Sequence, residues 1–174
     1  MKESQVMSRV TLPAGVASFP ALFEAVGFEG SEPKYSITVL WEKDEDMSKL
    51  KAACDAAIAK KWPEGRPNGL KMPLKDGNEK RDKEGNVRPE FAGKKFATMK
   101  SKQSDPPKVV DTELNPIIDK GRIYGGCEVR VAVGVYAYDV GGNRGVGMYL
   151  GNVQLVGEGT SFGSTSSVES DFGM

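Results

Sequence analysis

The chain has 174 residues, with 24 lysines and arginines, 24 aspartates and glutamates, and no histidine. This length suits one domain with a hydrophobic core, and the lack of histidine excludes Ser-His and Cys-His nucleophile pairs and histidine metal sites. No apolar run of 18 residues and no signal-peptide core occur, so we expect a cytoplasmic protein that does not enter a membrane.

The N-terminal part of the chain predicts two strands separated by a loop. Apolar and polar residues alternate at 6–12 and again at 34–41, which is typical of strands with one buried face. The intervening segment 17–33 is rich in phenylalanine, glycine and proline. It predicts a loop that tucks aromatic side chains under a sheet.

The one predicted helix covers residues 44–62. Leu50, Cys54 and Ile58 fall on one stripe, acidic residues lie near its start, and two lysines lie near its end. Cys54 lies within this apolar stripe and the second cysteine, Cys127, opens an apolar strand. Both are predicted to be buried thiols in a reducing compartment.

The second half of the chain predicts strands joined by long connections. Residues 63–94 contain mainly charge, glycine and proline, and they predict a long loop. Strands are predicted at 94–102, 127–140 and 146–156, with a further short one at 108–111. Five or six strands with one helix predict a small antiparallel barrel or sandwich.

The charges are unevenly spread along this chain. Residues 60–108 hold 14 basic and 7 acidic side chains, whereas residues 145–174 hold three acids and no base. A basic middle and an acidic end indicate a polyanionic partner and a tail that is repelled by it or competes with it. The alternative is a solvated loop followed by a solubilising tail.

The glycines after the predicted strand at 127–140 resemble a phosphate-binding loop only superficially. Gly142, Gly145 and Gly147 have the reverse of the G-x-G-x-x-G spacing, and a strand pattern rather than a helix follows. The segment "DVGGNRG" is better suited to a hairpin turn, since glycine and asparagine tolerate positive φ.

The strand at 127–140 carries a valine stripe that sets the direction of its tyrosines. If the valines face the core, then Arg130, Tyr136 and Tyr138 lie on the outer face. Exposed tyrosines of this kind can stack on nucleic-acid bases. The alternative is that both rings merely cover another part of the fold.

A second candidate face lies on the strand at 94–102, where Phe96, Thr98, Lys100 and Lys102 share one side. The lysines could neutralise phosphates and the ring could stack on a base. Basic residues around the preceding loop could wrap the strand: Arg81, Lys83, Arg88, Lys94 and Lys95. Exposed aromatics and the lack of a recognition helix favour single-stranded over duplex nucleic acid.

Two other function classes stay open at this point. Strand-end aspartates could serve a metal-dependent enzyme, although turns also explain them: Asp105, Asp111, Asp119 and Asp139. The sheet could instead bind protein, as a non-catalytic interaction module or virion component.

Several stretches in order resemble a family of tailed-phage single-stranded-DNA-binding proteins, which are also found in prophage-carrying bacteria. These stretches are "VTLPAGVASFPALFEAVGFEGSEPKYSITVLWEKDE", "VVDTELNPI", "IYGGCEVRVAVGVYAYD" and "GNRGVGMYLGNVQLVGEG". The resemblance implies an OB-fold, a five-stranded antiparallel barrel over residues 1–157 with long basic loops and a flexible acidic tail at 158–174. It also implies sequence-independent binding of single-stranded DNA in phage replication or recombination, without catalysis, cofactor or metal.

The resemblance also carries over site residues by position. The strand Lys34–Trp41, which contains Tyr35, matches the family's pattern, as do the lysines Lys100 and Lys102 and the tyrosines Tyr136 and Tyr138. Arg144 at the hairpin tip is a further candidate for a phosphate contact. Phage single-strand binders often end in an acidic, aromatic segment that docks replication proteins, and the matching tail residues are Glu169, Asp171 and Phe172. RNA stays open as an alternative ligand.

Overall fold

The computed structural model describes residues 8–27, 30–79, 81 and 83–159, which form a strand-rich protein with one α-helix. The elements are β1 (Ser8–Thr11), β2 (Gly15–Val26), β3 (Lys34–Glu42), α1 (Ser48–Lys61), β4 (Lys75–Asp76), β5 (Lys94–Lys102), β6 (Val109–Val110), β7 (Glu128–Val140) and β8 (Asn143–Gly157). Among the described residues, no helix is long and apolar enough to cross a membrane.

The strands form one mixed sheet in the order β1-β7-β2-β3-β5-β8-β6, with β4 on β5 and a further pairing of β7 with β8. Two pairs, β5 with β8 and β6 with β8, are parallel. The expectation that the strands are all antiparallel is therefore wrong. The hairpin makes β8 antiparallel to β7, and this direction leaves it parallel to β5 and β6.

The main core lies between β7 and α1, as the two apolar stripes predict. Val129, Val131 and Val133 are at most 1% exposed, and the stripe of α1 that contains Cys54 packs in the same cluster. The helix begins at Ser48 rather than near residue 44. Both cysteines are buried, as predicted, and burial raises the pKa of the Cys54 thiol to about 11, so it stays protonated at neutral pH.

A second, smaller cluster lies on the side of the sheet that faces away from the main core, called the outer side below. Leu40, Phe91 and Phe96 are buried there, and the rings of Phe91 and Phe96 meet edge to face at 5.0 Å. The prediction of Phe96 as an exposed stacking residue is wrong. The chain before β5 folds back over β5 and brings Phe91 onto the ring of Phe96.

The segment before β5 is more ordered than its composition indicates. It contains β4 and a 3₁₀ helix at Gly77–Glu79, and Leu70 and Leu74 pack against the main core. The expectation of a structureless loop over 63–94 is thus wrong in part. Its apolar residues are too widely spaced to show a period, yet they anchor it at separate points.

The segment predicted as an aromatic loop at 17–33 is mostly the strand β2. Its pairing with β3 shifts between Ser18 and Ala21, because β2 has one residue more than β3 between these pairs. Such a bulge interrupts the period-two alternation on which strand prediction depends.

The turn between β7 and β8 confirms the hairpin prediction. Gly141 and Gly142 form the two-residue connection, with φ values of 60° and 87°. Positive φ at both central residues is the requirement of the tight hairpin turn. Asn143 already pairs with Val140, so β8 begins three residues before the predicted start at residue 146.

Candidate nucleic-acid interface

Lysines of two neighbouring strands meet on the outer side of the sheet. Lys34 of β3 lies directly opposite Lys102 of β5, and Lys100 shares the same side. Thr38 and Thr98 continue this row, and their hydroxyl groups form a hydrogen bond of 2.8 Å. The alternation that buries the inner residues of β3 therefore places three ammonium groups on one surface.

The lysines on this surface form no ion pair with another described side chain, although Asp105 lies beside Tyr149. Within the described part of the chain, none of Lys34, Lys100 and Lys102 forms a salt bridge. Like charges directly opposite each other on paired strands destabilise a sheet. A bound anion would remove this repulsion, so the arrangement favours an anionic ligand.

Two tyrosines of β7 lie across the neighbouring strand on the same side. Tyr136 is paired with Gly147, and Tyr138 is paired with Gly145. A Cβ atom at Gly147 would come within 2.7 Å of the Tyr136 ring, and one at Gly145 within 2.6 Å of the Tyr138 hydroxyl. These glycines therefore leave room for the rings, whose centroids are 6.3 Å apart with a tilt of 51°.

A third tyrosine, Tyr149 of β8, links the other two to the lysines. It is paired with Lys100, and its hydroxyl oxygen accepts a hydrogen bond of 3.1 Å from the backbone N–H of Lys102. The six outer-side residues are called the tyrosine–lysine face below. They are Lys34, Lys100, Lys102, Tyr136, Tyr138 and Tyr149.

Sequence reasoning missed Lys34 and Tyr149 as site residues. The alternation in "GVGMYL" places Tyr149 on the same side as Gly145 and Gly147, so it could have been found. Lys34 lies outside the basic segment and becomes relevant because β3 pairs with β5. No local signal in the sequence shows that pairing.

Burial raises the pKa of two of the three phenol groups on this face. Burial raises the pKa of Tyr136, and the neighbouring Tyr138 adds to the effect. Burial likewise raises the pKa of Tyr149. Neutral rings do not repel phosphates, and they can stack on bases at physiological pH.

Arg130 shares the outer side but lies far from the two tyrosines of its strand. Tyr136 is six positions further along the strand, a distance of roughly 20 Å. Its guanidinium donates two hydrogen bonds, of 2.8 and 3.2 Å, to the Gln154 side chain. The prediction of one platform formed by Arg130 and both tyrosines is therefore wrong.

Three other predicted basic residues are engaged within the protein. Arg144 at the hairpin tip pairs with Asp139 at 3.2 Å. Lys94 forms an ion pair with Glu42, and the Lys95 ammonium donates to the Glu45 carbonyl at 2.7 Å. Lys94 and Lys95 begin β5, at the end opposite Lys102.

The remaining candidates take different positions. Arg81 donates a 2.8 Å hydrogen bond to the Gly85 carbonyl, and Lys83 is exposed nearby. Arg88 places its guanidinium carbon 5.4 Å from the ring centroid of Phe19. Tyr35 packs half-buried against the main core, so its ring is on the side opposite the tyrosine–lysine face.

The last candidates are the tail residues and the acidic residues considered as metal ligands. Glu169, Asp171 and Phe172 lie outside the described residues. Among the residues that are described, no group of three or more cysteine or acidic side chains is arranged to hold a metal ion.

Comparisons with solved structures find the same fold in phage proteins. The single-stranded DNA-binding protein from bacteriophage Enc34 in complex with ssDNA has a TM-score of 0.73 at 21% identity, covering 93% of this chain and 100% of that one. Another structure of the Enc34 protein has a TM-score of 0.70 at 22% identity, covering 97% and 90%. Gp2.5, a single-stranded DNA binding protein encoded by bacteriophage T7, has a TM-score of 0.58 at 16% identity, covering 95% and 94%.

Comparison of the sequence with curated proteins finds no match. The family described as "Enterobacter phage Enc34, ssDNA-binding protein" matches residues 9–174. This match confirms the resemblance to phage single-stranded-DNA-binding proteins, and it spans nearly the whole chain. The protein therefore belongs to the Enc34 phage single-stranded-DNA-binding protein family.

Proposed function

We propose that this protein binds and protects single-stranded DNA during phage DNA replication or recombination, with the tyrosine–lysine face as the contact surface. The observation that carries the proposal is the group of three lysines that form no salt bridge with the described residues, beside three tyrosines. Family membership supports it, because the structurally similar Enc34 protein was solved in complex with ssDNA.

The face combines the two interactions that single-strand binding requires. Lysine ammonium groups neutralise phosphates, and each base that stacks on a tyrosine contributes about 1–3 kcal/mol. Neither interaction reads the edges of the bases, so binding is independent of sequence. Single strands are preferred over duplex because a ring stacks only on an exposed base face.

We further propose that five of the strands close an OB-type barrel. Pairings connect β7 to β2, β2 to β3, β3 to β5, β5 to β8 and β8 back to β7. A ring with an odd number of strands must contain one parallel pair, which here is β5 with β8. The lysines lie on β3 and β5, which are the second and third of the five ring strands when these are counted along the chain. OB-folds bind nucleic acids on the face of their second and third strands.

We infer a stoichiometric role without catalysis, in the cytoplasm of the host cell. The face offers ammonium groups and neutral phenols, which bind but do not provide an acid and base pair of carboxylates. Two predictions from the sequence stand beside this proposal. The DNA-binding domain is expected to end at residue 157, and residues 158–174 are expected to form a flexible acidic tail that docks replication proteins.

Fluorescence anisotropy with labelled oligo-dT, at increasing salt, tests the proposal. Each neutralised phosphate of a single strand contributes about −0.7 to the slope of log Kobs against log salt concentration. Replacing Lys34, Lys100 and Lys102 with glutamine should therefore make the slope shallower by about 2. Replacing Lys60 and Lys61 with glutamine, at the end of α1, is the control and should leave binding unchanged.

Two outcomes would contradict this proposal. One is the absence of oligo-dT binding by the wild-type protein at low salt, and the other is binding that does not respond to salt. A labelled duplex should bind more weakly than oligo-dT. Competition by oligo-U decides whether RNA is an equivalent ligand.

A further inference from the structure

Phe19 has a backbone conformation that its side chain disfavours. Its φ is +50°, in the left-handed region, and within the described residues only Leu114 is another non-glycine residue with positive φ. The following residue is Pro20, which favours extended conformations at position 19. A phenylalanine that is held in this disfavoured conformation indicates that the position of its side chain has a function.

The β2 bulge changes the direction of the Phe19 side chain. Simple alternation would place it on the side of Ala17, which is fully buried in the main core. Instead, the ring stacks on Phe91 of the outer-side cluster, with centroids 6.3 Å apart and planes 27° apart. The ring stays 52% exposed. The bulge therefore moves an aromatic ring from the core side to the outer surface.

Arg88 adds a positive charge at this ring. Its guanidinium carbon lies 5.4 Å from the centroid of Phe19, within the range of a cation–π contact. The Arg88 Nε–H group is buried and has no hydrogen-bond partner among the described residues. The side chain is thus kept beside an exposed ring although one of its donors is unsatisfied.

This ring lies at the border of the tyrosine–lysine face. The row that contains Lys100 and Tyr149 continues across Ser36 of β3 to Ala21 of β2, two residues from Phe19. Around the outer surface from β2 through β3, β5 and β8 to β7 there are four strand spacings, an arc of roughly 19 Å, and β2 and β7 also pair directly at the Gly15 end of β2.

We propose that Phe19 and Arg88 form a base-stacking subsite at the β2 border of the tyrosine–lysine face. A nucleobase stacks on the exposed ring of Phe19, and the Arg88 guanidinium attracts the adjacent phosphate. The subsite rests on the proposed function, and it extends the path of a single strand from the tyrosines of β7, across the lysines of β5, to β2.

Two substitutions at position 19 separate ligand binding from folding. Phe19→Asn removes the ring and accepts positive φ more readily, so its melting temperature should stay within about 4 °C of the wild type. Its affinity for oligo-dT should fall about 10-fold with an unchanged salt slope, because the ring carries no charge. Phe19→Trp should keep wild-type affinity, and its added indole emission should be quenched by oligo-dT.

Ile118, which is 89% exposed in the connection between β6 and β7, provides the matched controls. Ile118→Asn should bind as the wild type does, and oligo-dT should leave the added emission of Ile118→Trp unchanged. Wild-type affinity in Phe19→Asn, or unquenched emission in Phe19→Trp, would overturn the subsite while the wild-type protein still binds. If Phe19→Asn unfolds, the emission of Phe19→Trp decides. Failure of the wild type to bind would instead refute the proposed function.

Discussion

At the scale of single residues, the two glycines opposite the tyrosines have the clearest structural role. Gly145 and Gly147 have a spacing that superficially resembles a phosphate loop, but they lie inside β8, each opposite a tyrosine ring. The turn itself needs only Gly141 and Gly142. Glycine inside a strand weakens it, and here the gain is room for a ring across the strand.

Gly147→Ala tests this role. The added methyl group would come within 2.7 Å of the Tyr136 ring, so the ring must move. We expect the loss of one stacked base, about 1–3 kcal/mol, which weakens oligo-dT binding between roughly 5- and 150-fold in anisotropy. Tyr136→Phe keeps the ring and should bind nearly as the wild type does. Equal loss in both variants would show that the hydroxyl group matters instead.

At the scale of elements, the described residues of the segment 77–93, called the cover below, lie over part of the outer side of the sheet. Phe91 is fully buried between this segment and β5, against Leu40 and Phe96. The same ring supports Phe19. One aromatic side chain therefore anchors the cover and backs the proposed stacking subsite.

Phe91→Ala is expected to lower the free energy of unfolding by about 3–5 kcal/mol, the usual cost of removing a buried phenylalanine ring. Urea denaturation measures this change. Hydrogen exchange should also become faster across residues 77–93, because the cover loses its anchor. The exposed neighbour Ala92→Ser is the control, with an expected change within about 0.5 kcal/mol. A small change in the free energy of unfolding of Phe91→Ala would mean that other apolar contacts anchor the cover to the sheet.

At the scale of the whole molecule, charge and ionisation link the stability of the protein to its ligand. The formal net charge is zero, but the described basic side chains that lack salt bridges include the three of the tyrosine–lysine face. The face is therefore positive although the chain is neutral, as long as the phenol groups keep their protons. Ionised phenols would place negative charge beside the lysines.

Stability should consequently fall at alkaline pH. Burial raises the pKa of Cys54 from 9.0 to about 11 and raises the pKa values of Tyr136 and Tyr149 above 10.0. The unfolded chain therefore releases these protons first, and the stabilisation that is complete below pH 9 is lost as the pH rises through the folded-state values. Urea denaturation between pH 7 and 11.5 should show constant stability below about 9 and a decline above it.

The double variant Tyr136→Phe/Tyr149→Phe separates the contribution of the tyrosines. Its decline above about pH 10 should be shallower than that of the wild type, since two ionisable groups are gone. The part that begins near pH 9 should remain, because it belongs to the two buried thiols, Cys54 and Cys127, whose pKa values are both raised by burial. Identical pH profiles of the two proteins would contradict the assigned pKa shifts.

Local periodicity correctly predicts several parts of this protein. The valine stripe of β7, the apolar stripe of α1, the hairpin turn and the outward tyrosines all follow from residue spacing along one element. The ordered motifs also determined the family, which the match over residues 9–174 confirms.

The burial and the neighbours of several site residues depend on contacts between distant segments, and these contacts are visible only in the folded protein. Phe96 alternates as an exposed residue but is buried, because Phe91 of the cover packs on it. Lys34 joins Lys102 through strand pairing, and Arg130 is separated from Tyr136 by the length of the strand. Alternation tells which side of a strand a residue takes. It does not tell what covers that side, which strand lies next to it, or where a bulge such as that at Phe19 reverses the pattern.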